Sequence, residues 1–197
     1  MYDILVKVKK ELLISMSALP TTIKNLQFEA IDQYETFIAE IERMIAETGY
    51  TIAEKNTDKP WGAYLRLESS QADEFVADFF PGLTPEEARL GIEGAELSPK
   101  FLIVKPSERL SWQYHDRRAE RWCYLTPGAY RRSMTDEEGE RLEVSAGEVV
   151  QFQKGERHRL EGRPDGFVLV AEIWQHTDGT APSNEEDIVR LADDYQR

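Results

Sequence analysis

From Leu97 onward, short runs of Val, Ile, Leu and aromatic residues alternate with turn residues, and no long helical period separates them. This spacing predicts strands over 100–105, 109–115, 120–125, 128–134, 140–144, 148–152, 157–160 and 166–174, hence an antiparallel sandwich or barrel. Ser145-Ala146-Gly147-Glu148 and Gly162-Arg163-Pro164-Asp165-Gly166 read as its clearest turns. Upstream the period changes. After Pro20, with Thr21 or Thr22 as N-cap, Ile23, Leu26, Ala30, Tyr34, Phe37, Ile41 and Met44 or Ile45 recur at helical spacing, and Gly49 supplies a stop. The expected helix is roughly 25 residues long. Its polar face is acidic, which suits packing on the main domain or a second subunit rather than on a membrane. Then come a short strand at 50–53, a turn-rich link at 56–62, a strand at 63–67 and a helix at 71–80. Thr84-Pro85-Glu86-Glu87 opens a last short helix that ends near Gly91. The tail from Asn184 is acidic and reads as helical or irregular. Residues 1–20 carry no clear pattern, and Met16 offers a second start site.

Composition narrows the function classes. The 197 residues suffice for one domain with a real core. No apolar run approaches the roughly 20 residues of a membrane span. Met1 to Ser15 lacks an apolar signal region with a cleavage site, so a cytoplasmic protein is expected. The single cysteine, Cys123, excludes an intrachain disulfide and reads as a small buried side chain between Trp122 and Tyr124. A net charge of −13 argues against nucleic acid. Between Lys100 and Arg159, however, 12 Lys and Arg face 10 Asp and Glu, which leaves −15 for the rest. That basic island in an acidic chain suits a small anionic substrate.

Candidate chemistry lies in Gln113-Tyr114-His115-Asp116-Arg117-Arg118-Ala119-Glu120. If Tyr114 lies in a strand, Gln113 and His115 share a face, and Glu120 can return to it from the next strand. His158 supplies a second imidazole. Four N and O donors without a thiolate suit a divalent first-row metal with open coordination positions. His176 lies past the last strand and reads as structural or exposed.

The run from Lys100 to Trp122 contains Lys105-Pro106, Leu110-Ser111-Trp112-Gln113-Tyr114-His115 and Arg118-Ala119-Glu120-Arg121-Trp122. It resembles the first metal-binding motif of cupins, specifically of the C-terminal cupin of type II mannose-6-phosphate isomerases. Gly147 through Gly155 to His158-Arg159-Leu160-Glu161 is similar to the second motif. Lys59-Pro60-Trp61-Gly62, Glu186-Asp187-Ile188-Val189-Arg190 and Asp193-Asp194-Tyr195 resemble the domain's opening and closing segments. The resemblance implies a mainly β protein: a cupin double-stranded β-helix, or jelly-roll barrel, at 59–197 behind an N-terminal helical extension at 1–58. It implies a divalent metal on Gln113, His115, Glu120 and His158, zinc foremost, with Mn2+, Ni2+, Co2+ or Fe2+ as alternatives. Ser107, Gln153 and Gly162 depart from the usual Gly, Pro and Asn, Pro127 is an extra residue, and Ile173 to Thr177 departs from the usual strand end. The four ligands are intact.

The activity implied is aldose–ketose isomerisation of a sugar phosphate, mannose 6-phosphate to fructose 6-phosphate in the first instance. A related isomerase of another sugar phosphate, such as a heptose phosphate, and a non-catalytic sugar-binding metal cupin are the alternatives. Lys100 and Arg118 are the candidate catalytic residues, and Lys105 and Arg190 the candidate phosphate-binding residues. Lys100 shares a strand face with Leu102 and Val104, while Lys105 points to the other. The base is left open between Glu108 and Glu172, named by location. No Gly-rich nucleotide loop precedes the cupin, so guanylyltransferase activity is not expected. The expected partners are a small anionic sugar phosphate and a second copy of the chain in a homodimer, with neither nucleic acid nor membrane.

Overall fold

The computed structural model describes residues 31–196. Eleven strands form two antiparallel sheets: β1 (Ile52–Lys59), β2 (Gly62–Leu67), β3 (Leu97–Val104), β4 (Trp112–Tyr114), β5 (Arg118–Tyr124), β6 (Gly128–Ser133), β7 (Leu142–Val144), β8 (Val149–Phe152), β9 (Arg157–Glu161), β10 (Val168–His176) and β11 (Val189–Ala192). One sheet runs β1-β2-β3-β10-β5-β8 and the other β11-β4-β9-β6-β7. The facing quartets β3-β10-β5-β8 and β4-β9-β6-β7 are the two halves of a jelly roll, in which successive strands cross between sheets. β1 and β2 widen one sheet and β11 the other. The cupin barrel expected from the sequence is the observed fold.

Period-two alternation divides the interior in two. On β3, Phe101 and Ile103 face outward into one apolar cluster, while Leu102 and Val104 face into the barrel. On β10, Leu169, Ala171 and Ile173 join the outer cluster, and Val168 and Val170 the inner one. The central strand is buried on both faces, which is why Val168 to Trp174 reads as an almost unbroken apolar run. Glu172 is the exception in that run, and its side chain faces inward.

The outer cluster is roofed by helices. α1 (Tyr34–Glu47) buries Phe37, Ile38, Ile41, Met44 and Ile45, an i, i+1, i+4, i+7, i+8 stripe. Phe37 lies 4.6 Å from Phe167, ring centre to ring centre. α2 (Ala72–Phe79) adds Phe75 and Phe79, each 5.3 Å from Phe101. α3 (Pro85–Ala88) opens with the expected capping box, Thr84 Oγ1 accepting from Glu87 N and Glu87 Oε2 from Thr84 N.

Three readings need correction. The helix begins at Tyr34, because Gln33 is extended, and spans 14 residues instead of roughly 25. The periodicity misses this break because Ile31 and Tyr34 both pack on the core. The Thr21 and Thr22 cap and residues 1–20 lie outside the described residues. β1 continues through Asn56 to Lys59, where a turn-rich link was expected. It is an edge strand, so its polar residues meet solvent without cost to the pairing with β2. The tail forms β11 on β4 in place of a helix. At the β1–β2 hairpin, Gly62 has φ +147°, and a Cβ there would lie 1.9 Å from the Ile103 carbonyl oxygen. Only glycine lets β2 sit this close to β3 and turn Trp61 into the barrel.

Candidate metal centre and active cavity

β4, β5 and β9 bring the predicted ligands to one place inside the barrel. Gln113 on β4 is the register partner of His158 on β9. His115 follows β4, and Glu120 points inward from β5. His115 Nε2 lies 3.1 Å from Glu120 Oε1, and His158 Nε2 lies 3.2 Å from Glu120 Oε2. One ligand atom from each of the three lies within 4.8 Å of the others. All three side chains are at most 2% exposed.

The tautomers are fixed from behind. His115 Nδ1 meets the Asp187 carbonyl and His158 Nδ1 the Glu156 carbonyl at 2.9 Å. A carbonyl can only accept, so both Nδ1 atoms carry the proton and both Nε2 lone pairs face Glu120. Burial holds the His115 imidazole below its ordinary value, against the raising effect of Glu120. Burial would raise the Glu120 carboxyl, but the two imidazoles and Arg118 hold it well below the usual range. A carboxylate and two neutral imidazoles are the protonation states that metal binding requires. His158 Nε2 and Glu120 Oε2 are buried without a hydrogen-bond partner. Two acceptors pointed at each other lack a cation between them, and the donor set fits a divalent ion.

Gln113 stands beside the group. Its Oε1 accepts from Ser111 Oγ at 2.6 Å, and its Nε2 lies 3.5 Å from His115 Nε2. A half-turn of the amide would present the oxygen to the same point. Arg118 is 1% exposed and locked in place. Its Nε donates to Glu120 Oε1 at 2.8 Å and its Nη1 to Ser183 Oγ at 2.8 Å, and its guanidinium lies 3.5 Å over the Trp174 ring.

A cavity of about 290 Å³ opens beside these groups. Lys100 and Glu172 share its wall as register partners on β3 and β10. The Lys100 ammonium lies 3.1 Å over Trp174 and 2.7 Å from Glu185 Oε1, and burial lowers its pKa. Burial, reinforced by the charge on Glu120, pushes the Glu172 carboxyl up to about 8. Trp122 Nε1 donates to it at 2.9 Å. Lys59 and Arg190 also line the cavity.

Residues 92–193, just over half of the chain, match the mannose-6-phosphate isomerase C-terminal family. The chain belongs to that family. No curated protein matches it. Among solved structures, it is similar to a Cupin 2 conserved barrel domain protein from Salinispora arenicola, at 17% identity over 64% of this chain and 83% of that one, with a TM-score of 0.41. It is similar to the capsular polysaccharide assembling protein of Staphylococcus aureus, at 17% identity over 85% of this chain and 39% of that one, TM-score 0.45. It is also similar to a Bacillus subtilis oxalate decarboxylase mutant, at 14% identity over 70% of this chain and 29% of that one, TM-score 0.46 to 0.47 for the two mutants compared, the second covering 30% of its own chain. The chain thus spans about a third of the length of the last two proteins.

Within this member of the mannose-6-phosphate isomerase C-terminal family, the sequence-level candidates separate cleanly. Gln113, His115, Glu120, His158, Lys100, Arg118 and Arg190 meet around one centre. Lys105 does not line the cavity; its ammonium sits 4.4 Å over the Tyr34 ring on the helix side of the sheet, as the alternation on β3 requires. Of the two candidate bases, Glu172 lines the cavity, whereas Glu108 accepts from the Tyr195 hydroxyl elsewhere. His176 is structural, its Nδ1 accepting from Ser183 N. Cys123 is buried, and its thiol is pushed up to about 12 by burial. Sequence reasoning missed Trp174, Glu185 and Asp187. Trp174 was within reach, since it lies two residues after Glu172 on the same strand face. Glu185 and Asp187 act from a segment without periodicity, which carried no signal.

Proposed function

We propose that the protein is a metal-dependent aldose–ketose isomerase of a sugar phosphate, acting first on mannose 6-phosphate and fructose 6-phosphate. The observation that carries this reading is the single cavity that unites a metal-ligand set, a carboxyl poised near neutrality and a surplus of cations. A divalent cation held by His115, Glu120 and His158, with Gln113 as a fourth donor and zinc foremost, supplies Lewis acidity towards the sugar oxygens.

The chain's own residues supply the rest. Glu172 takes the proton from one sugar carbon and returns it to the neighbouring one, a task for which a pKa near the working pH is suited. Removing that proton leaves an enediolate, and the Lys100 ammonium on the same wall attracts its negative charge. Arg118 holds Glu120 ionised and in place. Lys59 and Arg190 attract the phosphate, and Lys105, on the far side of the sheet, takes no part. A coupled assay of the full chain with mannose 6-phosphate tests the reading. Fructose 6-phosphate formation that is abolished by a chelator and restored by added zinc or manganese is the expected result. Turnover of a different sugar phosphate would move the substrate assignment, and binding without turnover of any would leave a sugar-binding cupin in its place.

A further inference from the structure

Glu185 is 55% exposed, yet its carboxylate reaches into the cavity and meets a Lys100 side chain that is only 4% exposed. Its neighbours are fixed on both sides. Ser183 Oγ and the Asn184 carbonyl accept from Arg118, and the Asp187 carboxylate accepts from the backbone of Asp116 and Arg117. The backbone of the segment is therefore anchored, while the Glu185 side chain can leave by rotating its own torsions into solvent. Glu172 also faces Lys100 from the adjacent strand, but burial disfavours its charged form, so it is a poor counter-ion. A buried ammonium is costly without an opposite charge. Glu185 meets that need from the cavity side.

We infer that Glu185 is an internal stand-in for the anionic group of the substrate: it occupies the seat beside Lys100 and is displaced when a phosphate enters. This deepens the sugar-phosphate reading and rests on it for the identity of the substrate. The consequence is a charge filter. A phosphate oxygen can replace the carboxylate and keep Lys100 paired, but an uncharged sugar cannot, because it would leave the ammonium buried and alone. A fixed structural clamp would look different, with both partners desolvated and rigid, whereas an exposed carboxylate on one buried cation is weakly held.

The test is calorimetric binding of inorganic phosphate to the full chain, comparing wild type with Glu185→Gln and Glu186→Gln. Glu186 is an exposed neighbour whose change removes the same charge without touching Lys100. Glu185→Gln is expected to bind phosphate about fivefold more tightly, the worth of one exposed ion pair, with Glu186→Gln within about twofold of wild type. Equal or weaker binding by Glu185→Gln, equal tightening in both variants, or no phosphate binding in any of the three overturns the inference. Failure of the isomerase reading appears separately, as absent turnover of mannose 6-phosphate by the wild type.

Discussion

His158 Nε2 and Glu120 Oε2 face each other at 3.2 Å in the barrel interior, and neither has a hydrogen-bond partner. Since the Nδ1 proton of His158 is committed to the Glu156 carbonyl, no proton lies between them. Buried polar atoms left this way are costly, and a bound cation satisfies both at once. Adding zinc to chelator-treated protein is therefore expected to raise the melting temperature by several degrees, since binding to the folded state alone adds about 4 kcal/mol at a thousandfold excess over Kd. Differential scanning fluorimetry reads the shift, and His158→Ala should abolish it.

Asp187 holds the site from outside it. Its carboxylate accepts from Asp116 N, Arg117 N and Ser183 Oγ, and its carbonyl orients His115. Asp187→Asn should weaken metal affinity by about 10–100-fold, the usual effect of losing a partner behind a ligand. Competition with a fluorescent chelator measures it. An unchanged metal affinity in a folded Asp187→Asn chain would remove Asp187 from the account.

Glu172 predicts two pH dependences. Its folded pKa of about 8 lies above its ordinary value of 4.5, so between these limits the folded state binds the extra proton. Its contribution to stability is fully present below 4.5 and is lost as pH rises through 8. In metal-free protein, Glu172→Gln should flatten the fall in stability between pH 5 and 8, as followed by urea unfolding. As a base, Glu172 must lose its proton, so kcat/KM is expected to rise with pH. Glu172→Gln should lower kcat by about a hundredfold or more while metal content is retained.

The two candidate phosphate contacts are expected to differ. Arg190 lines the cavity, whereas the Lys105 ammonium lies over Tyr34 on the other side of the sheet. Arg190→Ala should raise KM for the sugar phosphate about tenfold, through one lost charge-assisted contact. Lys105→Ala should leave KM within about twofold. Steady-state kinetics decide, and the reverse order would contradict the placement.

Much of this was legible in the sequence because strand alternation and motif spacing are local. Gln113-Tyr114-His115 fixes two side chains on one face, Glu120 returns through a two-residue turn, and β4 and β9 then bring Gln113 opposite His158. The alternation also separated Lys100 from Lys105. What was not legible depends on pairing across the fold. β1 and β11 are polar edge strands whose partners, not their patterns, make them strands. The roles of Trp174, Glu185 and Asp187 follow from segments far apart in the chain meeting at Arg118 and Lys100. Glu172 and Glu108 were equal candidates until the barrel put one inside the cavity.

The outer cluster makes its own prediction. Phe37 is fully buried and packs on Phe167, joining α1 to the back of the sheet that carries Lys100 and Glu172. Phe37→Ala should cost about 3–5 kcal/mol in urea unfolding. A loss below about 1 kcal/mol would mean that α1 is not part of the same cooperative unit.

The most direct test of the central claim is the metal content of the full chain by elemental analysis, for wild type, His115→Ala and His158→Ala. The account predicts about one divalent ion per wild-type chain and roughly a tenth of that or less in either variant, a loss greater than that expected from a partner behind a ligand. Wild-type protein that takes up no divalent ion, or variants that retain as much as the wild type, would contradict it.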